Sequence, residues 1–249
     1  MTTYQEITLD LCCGEGGGAR GLVRAGHYVI GVDIDPGCRK GYLRSGAHEF
    51  ICADAMEVLT ARWFLDRFSF VTAHPPCQGY SKMMNCQPPE VRARYPRLIA
   101  PMQPLLDAWG GPFVIENVVP SPGLGELRDP VCLCMHMFDR PGYRHRLLEA
   151  GGGLRLEPPP APERSFTKDR TRVNRECGWP HPVPTARAGH WIPGRFVSVA
   201  GHERKKPVFS VMEIDWMSDR EAVAEAIPPY LGTWIAGQLA AWREAEAAA

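Results

Sequence analysis

The chain carries no net charge: 28 Lys and Arg balance 28 Asp and Glu. Taken alone, that balance argues against a nucleic-acid partner. No apolar run approaches the ~20 residues needed to cross a bilayer. The N-terminus lacks the basic and apolar regions of a secretory signal, and internal repeats are missing. The 9 cysteines are odd in number and several sit in apolar segments. That argues against a disulfide framework and for reduced thiols in a cytoplasm. What remains is an ordinary globular composition, 45% hydrophobic and 22% charged over 249 residues. This length suits one large domain, or a domain with a small companion.

The charge is unevenly spread. Between Arg140 and Lys206 stand 14 Lys and Arg against 6 Asp and Glu, so this stretch is basic and the remainder acidic. Such asymmetry fits one face for a polyanion, and equally a solvated basic surface.

Apolar runs alternate with helical patterns through the first 115 residues. Ile7–Cys12, Tyr28–Val32, Phe50–Cys52, Phe68–Ala73 and Phe113–Ile115 read as strands. Helices are expected over Ala19–Ala25, from about Pro36 to Ser45, over Val58–Arg67 and over about Pro96–Trp109. Strands alternating with helices predict an α/β fold with a parallel sheet and right-handed crossovers. After about Gly151 the pattern changes. Gly151-Gly152-Gly153 and Pro158-Pro159-Pro160-Ala161-Pro162 break periodicity, and an irregular stretch rich in Arg, His, Pro and Gly follows to about Arg204. Asp219–Ala226 and Tyr230–Ala248 again read as helices. Leu231, Trp234, Ile235, Leu239 and Trp242 recur at helical spacing in the latter and are expected to pack on the main domain.

Three places carry chemistry. Cys13-Gly14-Glu15-Gly16-Gly17-Gly18 joins the first strand to the first helix, where a ligand can approach bare backbone and a helix N-terminus. Asp33 ends the second strand, where a carboxylate can accept hydrogen bonds from both ribose hydroxyls. Asp54 ends the third, within reach of an adenine amino group. Together they point to a nucleoside cofactor; turn and helix-capping chemistry is the alternative for each. Then His74-Pro75-Pro76-Cys77-Gln78-Gly79-Tyr80-Ser81 follows the fourth strand. Two prolines stop the strand and stiffen the backbone where Cys77 is presented. Cys77 is a candidate nucleophile, although a lone cysteine there also reads as a buried thiol.

In combination these stretches resemble the DNA (cytosine-5)-methyltransferases, in particular a compact stand-alone type found in actinobacterial phages. Asp10-Leu11-Cys12-Cys13-Gly14-Glu15-Gly16-Gly17 resembles the first motif, Gly31-Val32-Asp33-Ile34-Asp35 the second and Ala53-Asp54 the third. Pro75-Pro76-Cys77-Gln78 matches the catalytic motif, and Ile115-Glu116-Asn117-Val118 the glutamate motif. Arg144-His145-Arg146 resembles the paired-arginine motif, and Ala226-Ile227-Pro228-Pro229 to Gln238 the last one. The motifs run in order from residue 7 to residue 240.

The resemblance implies a Rossmann-like catalytic domain over 1–150 that binds S-adenosyl-L-methionine (AdoMet). It implies a small target-recognition lobe over 151–206 and a segment, 207–249, that returns to the catalytic domain. The implied reaction is methyl transfer to carbon 5 of a cytosine flipped out of double-stranded DNA. Cys77 would add to carbon 6. Glu116 would hydrogen-bond ring nitrogen N3 and the exocyclic amine, which calls for a carboxyl at least partly protonated and hence a raised pKa. Arg146, with Arg144 nearby, would contact the O2 side. Asp10, Cys12, Gly14, Gly16, Gly17, Asp33, Ile34, Asp54, Ala55, Pro75 and Glu225 would surround the cofactor. Ser81–Tyr95 would be a loop with little regular structure that closes over DNA. Arg170, Arg172, Arg175, Arg187, His190 and Arg195 are candidates for phosphate and base contacts. A related tRNA methyltransferase, or a non-catalytic DNA- or AdoMet-binding module, stands as the alternative.

The chain departs from the family pattern at three points. Cys12 stands where an aromatic residue is usual, Gly142 where a glutamine is, and Ala224-Glu225 where Gly-Asn is. Glu225 puts a carboxylate near the cofactor's amino-acid end, or else faces water. Cys132-x-Cys134-x-His136 and Cys177-x3-His181 have soft ligands at short spacing, but buried thiols rather than a metal are expected. The expected setting is the cytoplasm of a bacterial or phage-infected cell. A monomer and a dimer are both open.

Overall fold

The computed structural model describes residues 6–140, 142–159, 171–173, 180–182, 197–199, 205–217 and 219–248. Arg170, Arg175, Arg187, His190, Arg195 and Cys177 lie outside them. Arg172 and His181 are described only as members of short strands.

The first half alternates strands and helices. β1 (Glu6–Leu11), α1 (Gly17–Arg24), β2 (His27–Asp33), α2 (Cys38–Arg44) and β3 (Glu49–Cys52) come first. α3 (Ala55–Thr60), α4 (Arg62–Leu65), β4 (Phe70–Ala73), α5 (Pro89–Arg92), α6 (Ile99–Trp109) and β5 (Phe113–Asn117) follow. The single helix expected over Val58–Arg67 is two short ones: Ala61 leaves helical geometry at φ −81°, ψ 74°. Then come β6 (Val131–Cys134), β7 (Gly142–Tyr143), β8 (His145–Gly151), and the short strands β9 (Thr171–Val173), β10 (Pro180–Pro182) and β11 (Val197–Ser198). α7 (Lys205–Met212), α8 (Arg220–Glu225) and α9 (Pro229–Ala248) complete the order.

Seven strands form one sheet in the order β3-β2-β1-β4-β5-β8-β6. The five strands of the alternating half are parallel, as expected. β8 runs antiparallel to both β5 and β6, so the sheet is mixed. The architecture is α/β and Rossmann-like.

Side chains alternate across a strand, so each strand feeds both faces. On one face Val29, Phe70, Val114 and Leu148 pack with Ala19 and Leu22 of α1 and with Leu231, Ile235 and Leu239 of α9. On the other, Leu9, Leu11, Ile30, Val71 and Ile115 pack with Leu59 of α3 and with Ile99, Met102 and Leu106 of α6. α9 thus lies on the main sheet beside α1. Gly21 marks their closest approach: a Cβ there would sit 2.0 Å from the Pro229 carbonyl oxygen.

Candidate active site

The same alternation aims polar residues at one end of the sheet. Thr72 shares its face with Phe70, Glu116 with Val114, and Arg144 and Arg146 with Leu148. Asp10 is two residues from Thr8 on the corresponding face of β1. Near the carboxyl ends of β1, β4 and β5, that face turns from apolar to charged. Such strand ends are where α/β sheets hold ligands.

β4 stops at Ala73, and the next residues are clamped. The Cys77 carbonyl accepts hydrogen bonds from the N–H groups of Tyr80 and Ser81, both at 3.0 Å. Buried Asn117 donates from Nδ2 to the Pro75 carbonyl at 2.8 Å. Gln78 donates from Nε2 to Glu225 at 2.7 Å and so ties the loop to the end of α8. Burial pushes the Cys77 thiol up; Arg146 pulls it down, and the carboxylates of Glu225 and Glu116 push it further up. The segment after it has more regular structure than expected. Lys82–Cys86 is a 3₁₀ turn, α5 follows, and Ser81 bridges to Pro120.

Asp10 is buried and richly partnered. It accepts from Thr72 Oγ1 at 3.0 Å and from the Tyr42 hydroxyl at 3.3 Å. His74 Nε2 lies 3.2 Å from Asp10 Oδ1, and His74 Nδ1 lies 3.6 Å from Glu116 Oε2. Arg146 Nε is 2.6 Å from the other carboxylate oxygen of Glu116. Burial works against the His74 imidazolium, but the contact with Asp10 and the nearby Glu116 carboxylate outweigh it and hold its pKa up at about 9. Burial works against the Glu116 carboxylate, but His74, Arg146 and Arg144 together hold it below the usual carboxylate range. This reverses the raised pKa expected for Glu116. Glu116 is buried, but two cations stand beside its carboxylate. Burial and the neighbouring Arg146 pull the Arg144 guanidinium down; its Nη2 donates to the Ala226 carbonyl at 2.8 Å.

The glycine turn closes the opposite side. Gly14 and Gly16 take the left-handed conformation, at φ 51° and 78°, that a compact strand-to-helix turn needs. Gly14 N–H donates to Asp33 Oδ2 at 2.9 Å, and Asp35 N–H to Asp33 Oδ1 at 3.0 Å. These bonds fix the Asp33 carboxylate beside the turn. A Cβ on Gly17 would fall 2.1 Å from the Ile227 carbonyl oxygen, so the start of α1 and the chain before α9 meet without a side chain between them.

Between the turn and the Cys77 loop lies a cavity of about 450 Å³. Its walls bring together Cys77, Glu116 and Arg146 with Cys12, Gly14, Gly17, Asp33, Pro75 and Glu225. The other residues named from the sequence stand outside those walls. Asp10 lies behind His74, Arg144 behind Arg146, and Gly16 packs under Ser45 and Tyr42. Asp54 caps α3 by accepting from Met56 N–H at 2.7 Å, Ala55 begins that helix, and Ile34 is exposed. The cavity also has lining residues that the sequence reading gave no role: His74, Gln78, Glu15, Asp35 and Asp219. All but Asp219 lie within motifs already singled out: His74 and Gln78 around Cys77, Glu15 in the glycine turn and Asp35 just after Asp33. Among the described residues, no three His, Cys, Asp or Glu side chains are grouped to hold a metal ion.

No protein-family model and no curated protein sequence matches the chain. Solved structures do. A putative DNA modification methyltransferase encoded within an E. coli prophage superposes with a TM-score of 0.65 at 16% identity, over 97% of this chain and 100% of that one. The S. pombe Dnmt2 methyltransferase gives 0.55 at 14% identity, over 95% and 98%. The Spodoptera frugiperda DNMT2 gives 0.56 at 11%, over 95% and 99%. The similarity is therefore to DNA-modification and Dnmt2-type methyltransferases, the same quarter to which the motifs point. The chain has the methyltransferase fold that these proteins share.

Proposed function

We propose that the protein is an AdoMet-dependent DNA (cytosine-5)-methyltransferase. The observation that carries this reading is the convergence of Cys77, Glu116 and Arg146 on one wall of a cavity whose opposite wall is the glycine turn and Asp33. The DNA-modification enzyme and the Dnmt2 proteins that share the fold support the reaction class.

The cavity fits AdoMet in size and in charge. Its volume of about 450 Å³ lies in the usual range for small-molecule sites. Glu15, Asp33, Asp35, Asp219 and Glu225 line it, a donor set suited to a ligand that carries sulfonium and ammonium charges. Asp33, oriented by its two backbone N–H donors, would hold ribose hydroxyls. Gly14 and Gly17 would let the ligand approach the backbone. When bound, AdoMet supplies an electrophilic methyl group.

The chain's own residues prepare the base for that methyl group. Carbon 5 of cytosine is a poor nucleophile until a thiolate adds at carbon 6 and makes the ring an enamine. Cys77, beside Arg146, supplies that thiolate after losing its proton. Glu116 and Arg146 bind the edge of the ring that gains charge as addition proceeds. Pro75 and Asn117 hold the nucleophile's backbone in place. The base reaches this pocket only when flipped from its duplex.

A duplex carrying 5-fluorocytosine in place of cytosine, incubated with AdoMet, tests the reading. A covalent adduct is expected with the native chain and not with Cys77→Ala. An adduct that survives Cys77→Ala overturns the nucleophile assignment. Parallel transfer assays on duplex DNA and tRNA separate the two substrate classes.

A further inference from the structure

The histidine before the two prolines has no part in the mechanism above, yet it stands between two buried carboxylates. His74 Nε2 faces Asp10 Oδ1 at 3.2 Å and Nδ1 faces Glu116 Oε2 at 3.6 Å. The ring is largely buried, its side chain 11% exposed, and Nδ1 makes no hydrogen bond. A neutral imidazole has one N–H to offer two acceptors. With Nε2–H on Asp10, the lone pair of Nδ1 would face a lone pair of Glu116. The arrangement therefore holds a second proton, either on Nδ1 or on Oε2. These are two positions of one proton, and the pair titrates as a unit.

We propose that His74 is a positioning residue that stores, at Nδ1, the proton that Glu116 must present to N3 of the target cytosine. This rests on the proposed cytosine reaction. In the free chain the proton sits on His74 and Glu116 is a carboxylate held by Arg146. As the base enters and its N3 takes up the Oε2 side, the proton passes from Nδ1 to Oε2. Imidazolium and carboxylate become imidazole and carboxylic acid, and no further reactant is needed. A separation of 3.6 Å in the free chain closes to hydrogen-bond length with a small ring movement, as catalytic contacts do on ligand binding. When product leaves, the proton returns.

The surroundings favour this direction. Asp10 from β1, fixed by Thr72 of β4 and Tyr42 of α2, keeps Nε2 protonated throughout. Glu116 from β5 is backed by Arg146 from β8 and by Arg144 just before that strand, which hold it ionised until the base arrives. The thiols of Cys77, in the same loop, and of Cys13, near Asp10, are pushed up by burial in the free chain.

Two measurements test the proposal. Histidine ring NMR of the free full-length chain, with the His74 signal assigned by its absence in His74→Asn, should give a midpoint well above 8. A midpoint near the ordinary ~6.5 overturns the stored proton whatever the reaction. For His74→Gln, kcat for DNA methylation should fall by ~100-fold at pH 8, the low edge of proton-transfer effects. The deficit should grow as pH rises and shrink toward pH 6, with KM for AdoMet little changed. A deficit equal at every pH, in His74→Gln and His74→Asn alike, marks a merely structural ring and overturns the proposal. Absence of the native chain's adduct in the 5-fluorocytosine experiment removes the reaction instead, and is told apart by the NMR midpoint.

Discussion

Tyr80→Phe should destabilise the protein through an oxygen atom alone. The Tyr80 ring is buried, 1% exposed, three residues beyond Cys77. Its hydroxyl donates to Glu126 Oε2 at 2.7 Å and accepts from Ile99 N–H at 3.1 Å, at the first residue of α6. Glu126 keeps Arg97 and the Ala100 N–H when the hydroxyl is removed. Ile99 N–H, an unpaired donor at a helix start, has no replacement within the helix. A hydrogen bond to a charged group contributes ~1.5 kcal/mol at the low end, and an orphaned buried donor costs ~1 kcal/mol or more. The expected loss is about 2.5 kcal/mol, or roughly 5–10 °C in Tm for a chain of this size. Scanning calorimetry with urea unfolding at fixed pH measures it, and the phenylalanine ring preserves the packing. Because Tyr80 N–H also bonds to the Cys77 carbonyl, adduct formation should slow as well. A Tm shift below about 1 °C would refute the reasoning: the hydroxyl would then anchor nothing.

Other outcomes follow from the buried charges. His74 has its pKa held up at about 9 in the folded chain, above the ordinary 6.5 of histidine. Its stabilising contribution is therefore complete below about pH 6.5 and is lost as pH rises through 9, on the order of 3 kcal/mol in all. Stability against urea should decline across that window in the native chain and stay flatter in His74→Asn; equal slopes would contradict the ion pairing. Glu149, buried, receives Gln103 Nε2, the Arg128 N–H and the Arg128 guanidinium, each at 2.7 Å. Arg128→Met should cost roughly 3 kcal/mol by stranding that carboxylate, and the double variant with Glu149→Gln should recover part of it; a loss under ~1 kcal/mol would show the pair to be dispensable. Asp33→Asn should weaken AdoMet binding by calorimetry at least ~10-fold, as expected when a ribose-binding carboxylate is lost; unchanged affinity would move the ribose elsewhere.

How much of this was legible in the sequence depends on where each residue finds its partner. β1 to β5 show in the apolar runs because they are buried on both faces by local helices. β6 and β8 do not show. β8 carries Arg146 and Glu149, which look wrong for a buried strand until Glu116 from β5 and Gln103 from α6 come to meet them. The break at Ala61 has no glycine or proline to announce it. In the site, motif spacing singles out Cys77, Glu116 and Arg146. It gives nothing about the ionisation of Glu116, because the two cations that set it lie 42 residues before it, at His74, and 30 after it, at Arg146. Asp54 stands at a strand end that also begins a helix, and only the coordinates show its carboxylate turned back to cap α3.

The two sides of the cavity divide the chemistry between them. Beside Cys77 each buried carboxylate has its own cation, His74 for Asp10 and Arg146 for Glu116. On that side the buried carboxylates are neutralised, which would suit the uncharged base of the proposed reaction. On the other side Glu15, Asp33, Asp35, Asp219 and Glu225 converge, and Arg146 is the only Lys or Arg among the described lining residues of the whole cavity. Burial and the nearby Asp219 push the Glu15 carboxyl up, as an excess of negative charge requires. Gln78 crosses from the first side to Glu225 on the second and gives the nucleophile loop a contact that a filled cavity would feel. A cation seated among the carboxylates would lower the potential that raises the Cys77 thiol, so loading the cofactor side favours the thiolate on the base side. In the proposed reaction the order in which the two ligands arrive would then matter: the Cys77 thiolate would form best with the methyl donor already in place.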